Sequence, residues 1–380
     1  MMKDGCCLGV RSLTLTVMRR RASPLKMKVF AVTFTLTDPG RIEFVSVLVG
    51  DIGGTKTVLA LAREVEGRWR LDRELRLPSS AYDALPELVA HYLRETGASP
   101  RGAAFAVAGP VQDGRSDITN LPWVIDRRQL AGEFGWERVG LLNDLEAIAW
   151  GIPFLGPEDL ETLYAGEEGA AGNACIIAAG TGLGQAGLYW DGERHHPFAT
   201  EGGHADFAPA SSREEALLAW LRRRHGHVSW ERLVSGPGIL NLYDFLRDQP
   251  GARSGGHATS SVRRLAGLTE AEGEDPVVAI AEQAAAGTCP RCVETMALFF
   301  NLYGREAGNL ALKHLALGGV YLGGGIVPKN LELLRCSDFL AGFFAKGRLE
   351  PLLRRIPVKV ILNPATPLLG AAHFFQVAPA

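Results

Sequence analysis

Between residue 45 and about residue 154, apolar and polar positions alternate in blocks that predict strands and helices in turn. The predicted strands are 45–50, 57–63, 68–76, 103–108 and 139–142, and the helices are 84–96, 127–134 and one starting at 144. A second unit in the same style begins near residue 155. Its predicted strands are 175–179, 185–190, 317–322 and 356–362, and its helices are 213–224, 238–247, 276–286, 290–315 and 368–377. The pattern therefore indicates an α/β protein built from two similar units.

The two units define the domains that we expect. Residues 45–154, together with a C-terminal helix at about 366–380, form a small α/β domain, and residues 155–365 form a large α/β domain. Because ligands commonly bind at domain interfaces, we expect a ligand in the cleft between them.

Residues 1–44 differ in composition from the rest of the chain. They carry Arg19-Arg20-Arg21 and a short apolar stretch at 29–34 that includes Thr33, and no small-residue cleavage site comes after it as a signal peptide would require. We expect a dispensable extension, either disordered or read from a start codon assigned too far upstream.

The composition excludes several classes of protein. Apolar residues make up 47% and charged residues 22% of the chain, as in ordinary globular proteins. A formal charge of −2 gives no electrostatic case for nucleic acid as a partner. No run of about 18 apolar residues could span a membrane. Six cysteines in 380 residues do not make a disulfide framework, so we expect a reducing, cytoplasmic location.

The sequence Asp51-Ile52-Gly53-Gly54-Thr55-Lys56 predicts a tight turn between two strands. Glycines without Cβ atoms let backbone N–H groups approach an anion, and the threonine hydroxyl and lysine ammonium add further donors. Asp51 can hold Mg²⁺ directly or through water. The turn is either a phosphate-binding hairpin or an ordinary one, and it is not a Walker loop, whose pattern is absent from the chain.

Two further glycine-rich turns come after predicted strands. The second unit has a similar glycine-threonine turn, Gly180-Thr181-Gly182-Leu183-Gly184, in which Thr181 is the expected hydroxyl donor to phosphate. Gly323-Gly324-Gly325 is either a bare strand-to-helix turn or room for adenine and ribose.

Residues with candidate chemistry lie in three other places. Asp144, after Asn143 and a strand, can cap a helix or act as a general base. Glu201-Gly202-Gly203-His204 is either a solvated turn or a group of donors and acceptors for sugar hydroxyls. Cys289 and Cys292 form a C-x-x-C without a second pair, which favours a structural role over zinc.

In order and spacing, these stretches resemble the bacterial ATP-dependent glucokinases of the actin-like ATPase and sugar kinase superfamily. The resemblance covers residues 45 to about 375 and rests on six stretches: 51–56, 142–144, 180–184, 201–204, 231–238 and 322–328. It implies a two-domain actin-like ATPase (ribonuclease H-like) sugar kinase fold. It also implies Asp144 as the base and sugar ligands at Asn143, Glu201, His204 and Glu231, with Asn120 as a weaker candidate. The resemblance further implies that the nucleotide site is formed by the first turn, by Gly180, Thr181 and Gly182, and by the glycines at 323–325.

The resemblance implies phosphorylation of D-glucose at the 6-hydroxyl, with ATP as donor and Mg²⁺ as cofactor, to give glucose 6-phosphate for glycolysis and ADP. The expected partners are glucose and ATP, without nucleic acid or membrane, and we expect a homodimer. A kinase for another hexose or an N-acetylhexosamine remains open. A non-catalytic sugar-sensing regulator is a further alternative, but 1–44 lacks a helix–turn–helix pattern. The zinc-bearing cysteine cluster of the related repressor/kinase (ROK) family is absent, which favours the branch without zinc.

Overall fold

The structure, a computed structural model, describes residues 46–118, 121–249 and 275–378. The extension 1–44, Asn120 and the last two residues of the chain therefore lie outside the described residues. The division into domains at residue 154 stays a prediction.

The first sheet is built from the N-terminal half of the described chain. Its strands, in the spatial order β3-β2-β1-β4-β7, are β1 (Ser46–Ile52), β2 (Lys56–Val65), β3 (Arg68–Pro78), β4 (Gly102–Val107) and β7 (Arg138–Asn143). The β1, β4 and β7 strands run parallel, whereas β1 and β2 form an antiparallel hairpin. The carboxyl ends of three strands consequently meet at one edge, where Asp51 and Asn143 lie.

Helices cover both faces of this sheet, which explains why its central strands are apolar at consecutive positions. Leu48 of β1 packs with Leu88 of α1 (Leu85–Thr96) on one face. The neighbouring Val47 and Val49 pack on the other face against Leu368, in the last helix (Thr366–Val377).

The second sheet has six strands in the spatial order β11-β10-β9-β12-β13-β8. They are β8 (Leu160–Tyr164), β9 (Ala174–Ala179), β10 (Leu183–Trp190), β11 (His195–Thr200), β12 (Gly319–Gly323) and β13 (Val358–Ile361). A small hairpin, β5 (Arg115–Asp117) with β6 (Val124–Asp126), stands apart from both sheets.

The remaining described helices are α2 (Arg127–Phe134), α3 (Asp144–Gly151), α4 (Ser212–His225), α5 (Gly236–Arg247), α6 (Pro276–Ala285), α7 (Pro290–His314), α8 (Ile326–Lys329), α9 (Leu331–Arg335), α10 (Phe339–Phe344), α11 (Glu350–Leu353) and the last helix, α12. The long α7 helix buries Phe299 and Phe300 in the core beside Ile177 of β9. On the opposite face of the same sheet, Ile176 packs with Leu145 of α3. Helix α3 therefore carries its first residue, Asp144, to the second sheet.

The structure differs from the sequence pattern in the short elements. Strands β5, β6 and β8 and helices α9 to α11 were not predicted, because each is too short to show a period. A helix was expected directly after the glycines at 323–325, and α8 lies there. In the sequence, His195-His196 followed by Pro197 indicates a surface turn, but this interpretation is wrong, since both histidines lie in β11. That strand is at the sheet edge, where Pro197 is tolerated.

Two smaller expectations can be compared directly with the described residues. Cys289 caps α7, and its Sγ accepts the Cys292 N–H at 3.4 Å, which agrees with a structural role. Within residues 46–118, 121–249 and 275–378, no helix is long and apolar enough to cross a membrane.

Candidate active site

The turn between β1 and β2 is held from beneath by buried hydroxyls. The Gly53 N–H donates to the Lys56 carbonyl at 3.1 Å. Ser79 Oγ donates to the Gly53 carbonyl at 2.7 Å and lies 3.0 Å from Thr57 Oγ1. Thr55 and Lys56 remain exposed. The turn is therefore fixed on its inner side and open to a ligand on its outer side.

Sequence reasoning missed Ser79 and Thr57 as supports of this turn. Both side chains are fully buried, and the Ser79 N–H also donates to the Thr55 carbonyl at 3.1 Å. The signal was present at the end of β3, where Pro78 pairs with Lys56 and a serine comes next.

Asp51 lies one residue before the end of β1, beside the turn, and the buried Ile52 comes directly after it. Burial raises the pKa of Asp51 to about 6, and the Lys56 charge opposes the shift. Among the residues that the structure describes, no group of three His, Cys, Asp or Glu could hold a metal ion. A single carboxylate nevertheless fits Mg²⁺, which usually takes its other ligands from water and substrate phosphates.

Asn143, not Asp144, caps helix α3. Its Oδ1 accepts the N–H groups of Leu145 at 2.9 Å and Glu146 at 3.4 Å, and its Nδ2 donates to the Gly109 carbonyl at 3.3 Å. Asp144 begins the helix, and its Oδ1 accepts the Leu145 N–H at 2.9 Å. Since Asn143 already satisfies the helix end, the carboxylate of Asp144 is not required as a cap.

Three predicted site residues act on one another electrostatically at this point. Burial, together with the charges of Asp51 and Glu201, raises the pKa of Asp144 to about 6, and the hydrogen bond from the Leu145 N–H opposes this shift. The structure thus brings a residue of the first turn, the candidate base and a candidate sugar ligand to one place. A carboxylate with a pKa near 6 is ionised at neutral pH yet basic enough to accept a proton.

Residues 201–204, here called the sugar loop, form a tight turn after β11. The His204 N–H donates to the Glu201 carbonyl at 3.1 Å, and both side chains are exposed. His204 Nδ1 lies 3.9 Å from Glu231 Oε1. The other oxygen of Glu231 accepts the Leu183 N–H at 3.0 Å. Glu231 therefore joins the sugar loop to the second glycine-rich turn, a link that the sequence did not reveal.

The two later glycine-rich turns adjoin each other. The Gly180 carbonyl accepts the N–H of Gly236, the first residue of α5, at 2.8 Å. Gly324 has a φ of 82°, and a Cβ there would collide with the Ala179 backbone, so this close approach requires glycine. Cβ atoms at Gly180 or Gly325 would meet no atom within 4 Å. Open space therefore lies beside both turns.

The remaining predicted residues have clear positions. Thr181 is exposed, and a Cβ at Gly182 would come within 2.7 Å of Glu231 Oε2. Gly54 is partly exposed in the first turn, and Gly323 ends β12. The ligand roles of all these residues stay predictions.

Solved structures with this architecture include several glucokinases. A crystal structure of glucokinase from an Antarctic psychrotroph has a TM-score of 0.73 and 31% identity, covering 88% of this chain and 99% of that chain. A ROK family glucokinase from Streptomyces griseus, in complex with glucose and AMPPNP, has a TM-score of 0.58. It is 20% identical and covers 86% of this chain and 98% of that chain, so it supports the fold alone. The protein has the actin-like ATPase fold of sugar kinases, which confirms the fold class expected from the sequence.

Sequence comparison identifies the family within the sugar kinases. The glucokinase family model matches residues 48–378. The glucokinase of Trichormus variabilis is 43% identical over 334 residues, 86% of this chain and 97% of that protein. The glucokinase of Photorhabdus laumondii is 35% identical over 330 residues, 87% of this chain and 96% of that protein. The chain belongs to the glucokinase family. This membership confirms the resemblance found in the motifs and identifies an ATP-dependent sugar kinase.

Proposed function

We propose that this protein transfers the γ-phosphoryl group of ATP to the 6-hydroxyl of D-glucose, with Asp144 as the general base. The observation that carries the proposal is the position of Asp144. It starts helix α3, is relieved of capping by Asn143, and faces the charges of Asp51 and Glu201. A carboxylate placed there can orient the attacking hydroxyl and accept its proton as phosphoryl transfer proceeds.

Glucose is proposed to bind between the sugar loop and helix α3. Glu201, His204 and Glu231 offer acceptors and donors that match the several hydroxyls of a hexose. The 3.9 Å approach of His204 to Glu231 supports their action as one recognition group. Asn143 retains one free amide hydrogen for the same pocket, because its other groups bind the backbone.

ATP is proposed to bind across the glycine-rich turns. The outer side of the first turn would hold phosphates through backbone N–H groups, Thr55 and Lys56, and Thr181 would add a hydroxyl from the second turn. The open space beside Gly180 and Gly325 suits the nucleoside. Asp51 would hold Mg²⁺ directly or through water, and the ion would neutralise phosphate charge.

The identity of the sugar is tested by an ADP-release assay with Mg·ATP and a panel of glucose, mannose, fructose, N-acetylglucosamine and N-acetylmannosamine. We expect the highest kcat/KM with glucose. A higher value for another sugar would assign the enzyme to that substrate, and ADP release with none of them would favour a regulator.

The reaction requires ATP, and the few cysteines suit a reducing compartment, so we infer a cytoplasmic location. Light scattering would test the homodimer that we expect from the resemblance.

A further inference from the structure

A row of polar side chains, fully buried at its centre, connects the sugar loop with the centre of helix α7. Gln185 Nε2, on β10, donates to Glu306 Oε1 at 2.8 Å. Glu306 Oε2 accepts from Asn309 Nδ2 at 2.9 Å, and Lys346 Nζ donates to Asn309 Oδ1 at 2.8 Å. The two central residues, Gln185 and Glu306, are 1% and 0% exposed. None of these residues belongs to the proposed glucose or ATP ligands.

Stability alone does not account for Glu306. Burial raises the pKa of this carboxyl group, because the ionised form loses its hydration. The ammonium groups of Lys313, 4.0 Å away, and Lys346 offset only part of that cost. An apolar side chain of similar size would fill the same space without an ionic group to desolvate. The carboxylate therefore suggests a role in orienting its neighbours.

The neighbour that Glu306 orients is Gln185. An ionised carboxylate only accepts hydrogen bonds, so the NH₂ end of the Gln185 amide must face it and Oε1 must face away. That oxygen is buried without a hydrogen-bond partner, and a Cβ at Gly202 would collide with it. Gln185 Oε1 thus lies directly against the backbone of the sugar loop.

The backbone of Gln185 supports the same loop. Its carbonyl accepts from Thr200 Oγ1 at 3.0 Å, and that hydroxyl oxygen accepts the Gly202 N–H at 3.3 Å. Gln185 also pairs with Thr200 across β10 and β11. Main-chain and side-chain atoms of one residue therefore meet the start of the loop that carries Glu201 and His204.

We propose that Glu306 and Gln185 are positioning residues for sugar binding. Glu306 fixes the Gln185 amide, and the amide holds the sugar loop where Glu201 and His204 meet the hexose. The unpartnered Oε1 of Gln185 offers the loop a further hydrogen bond to gain when the sugar binds. The inference rests on the proposed function, since it assumes that the loop contacts glucose.

The test exchanges the two side chains. Gln185→Glu places two carboxyl groups against each other, and Glu306→Gln removes the charge that orients the amide. The double variant Gln185→Glu/Glu306→Gln restores a carboxylate–amide pair with its ends reversed. We expect each single variant to raise the glucose KM about tenfold, the scale of one buried hydrogen bond to a charged group. The ATP KM and kcat should change by less than about twofold, and the double variant should recover most of the glucose affinity.

Glu294→Gln is the matched control, because it makes the same exchange at an exposed site on the same helix, where Glu294 pairs with Arg213. The glucose KM of this control should not change. Thermal unfolding of every variant separates positioning from stability: a lower midpoint with an unchanged glucose KM in both single variants would overturn the inference, as would a double variant no better than either. Glu201→Ala distinguishes a failure of the proposed sugar site from a failure of this inference alone. If it leaves glucose affinity intact, the proposed sugar site fails; if it weakens affinity while the network variants do not, only this inference fails.

Discussion

Replacing Asp144 by asparagine should stabilise the fold at alkaline pH while it removes activity. The Asp144 carboxylate is partly buried and repelled by the charges of Asp51 and Glu201. Asparagine has nearly the same shape, and its Oδ1 can still accept the Leu145 N–H that Asp144 accepts now. The substitution therefore removes an unfavourable charge and leaves the local hydrogen bond in place.

The size of the effect can be worked out from the pKa. Folding raises the pKa of Asp144 from 3.8 to about 6, and each unit corresponds to about 1.4 kcal/mol, giving an upper bound of about 3 kcal/mol. Because solvent reaches part of the side chain, we expect about 1–2 kcal/mol. Below pH 3.8 the carboxyl group is protonated in both states and costs nothing. Between pH 3.8 and pH 6 the carboxyl group ionises first in the unfolded state, so the free energy of unfolding of the wild type falls as pH rises. Above pH 6 the full decrease has been reached.

The assay is thermal unfolding of both proteins between pH 4 and pH 8, without ligands. We expect the Asp144→Asn midpoint to exceed that of the wild type by a few degrees at pH 8, with the difference shrinking toward pH 4. Asp113→Asn, at an exposed turn residue, is the control and should show no such trend. A difference that does not depend on pH, or a variant less stable at pH 8, would refute the reasoning.

Three further predictions concern the reaction. The kcat/KM for glucose should fall as pH drops below about 6, because protonated Asp144 cannot accept the hydroxyl proton; a rate that is flat to pH 5 would contradict this. EDTA should abolish turnover, and Asp51→Ala should raise the Mg²⁺ concentration for half-maximal rate while calorimetry shows little change in glucose affinity; turnover that survives EDTA would count against the metal. Ser79→Ala removes the hydrogen bond to the Gly53 carbonyl and should raise the ATP KM about fivefold at similar kcat, on the scale of one hydrogen bond, and an unchanged ATP KM would argue that the turn needs no such support.

Local patterns in the sequence predicted the features that depend on neighbouring residues. The continuous apolar run 175–179 predicted β9, because a strand covered on both faces needs no polar positions. Apolar spacing over 238–247 predicted α5, which begins at Gly236, where Ser235 caps the helix and Pro237 occupies its first turn. Such signals lie within a few residues of what they determine.

Contacts between residues far apart in the sequence could not be predicted from such local patterns. Ser79 supports Gly53 across 26 positions, and Gln185 meets Glu306 across 121. Each residue alone is an ordinary polar side chain, and only the register of the strands and the packing of α7 make them partners. Whether Asp144 caps α3 or acts as a base was also undecided, because aspartate favours helix starts; in the structure Asn143 is the cap. The candidate site residues were thus recognisable as sequence motifs, whereas the residues that support them become visible only in the fold.

The central claim is that Asp144 is the general base, and single-turnover phosphoryl transfer tests it most directly. Wild type and Asp144→Asn are mixed with saturating glucose and Mg·ATP, and glucose 6-phosphate is measured over time, with glucose affinity determined separately by calorimetry. We expect the variant to bind glucose within about threefold of the wild type and to transfer phosphoryl at least about 100-fold more slowly, the usual contribution of a positioned base. A variant that transfers phosphoryl at nearly the wild-type rate would contradict it.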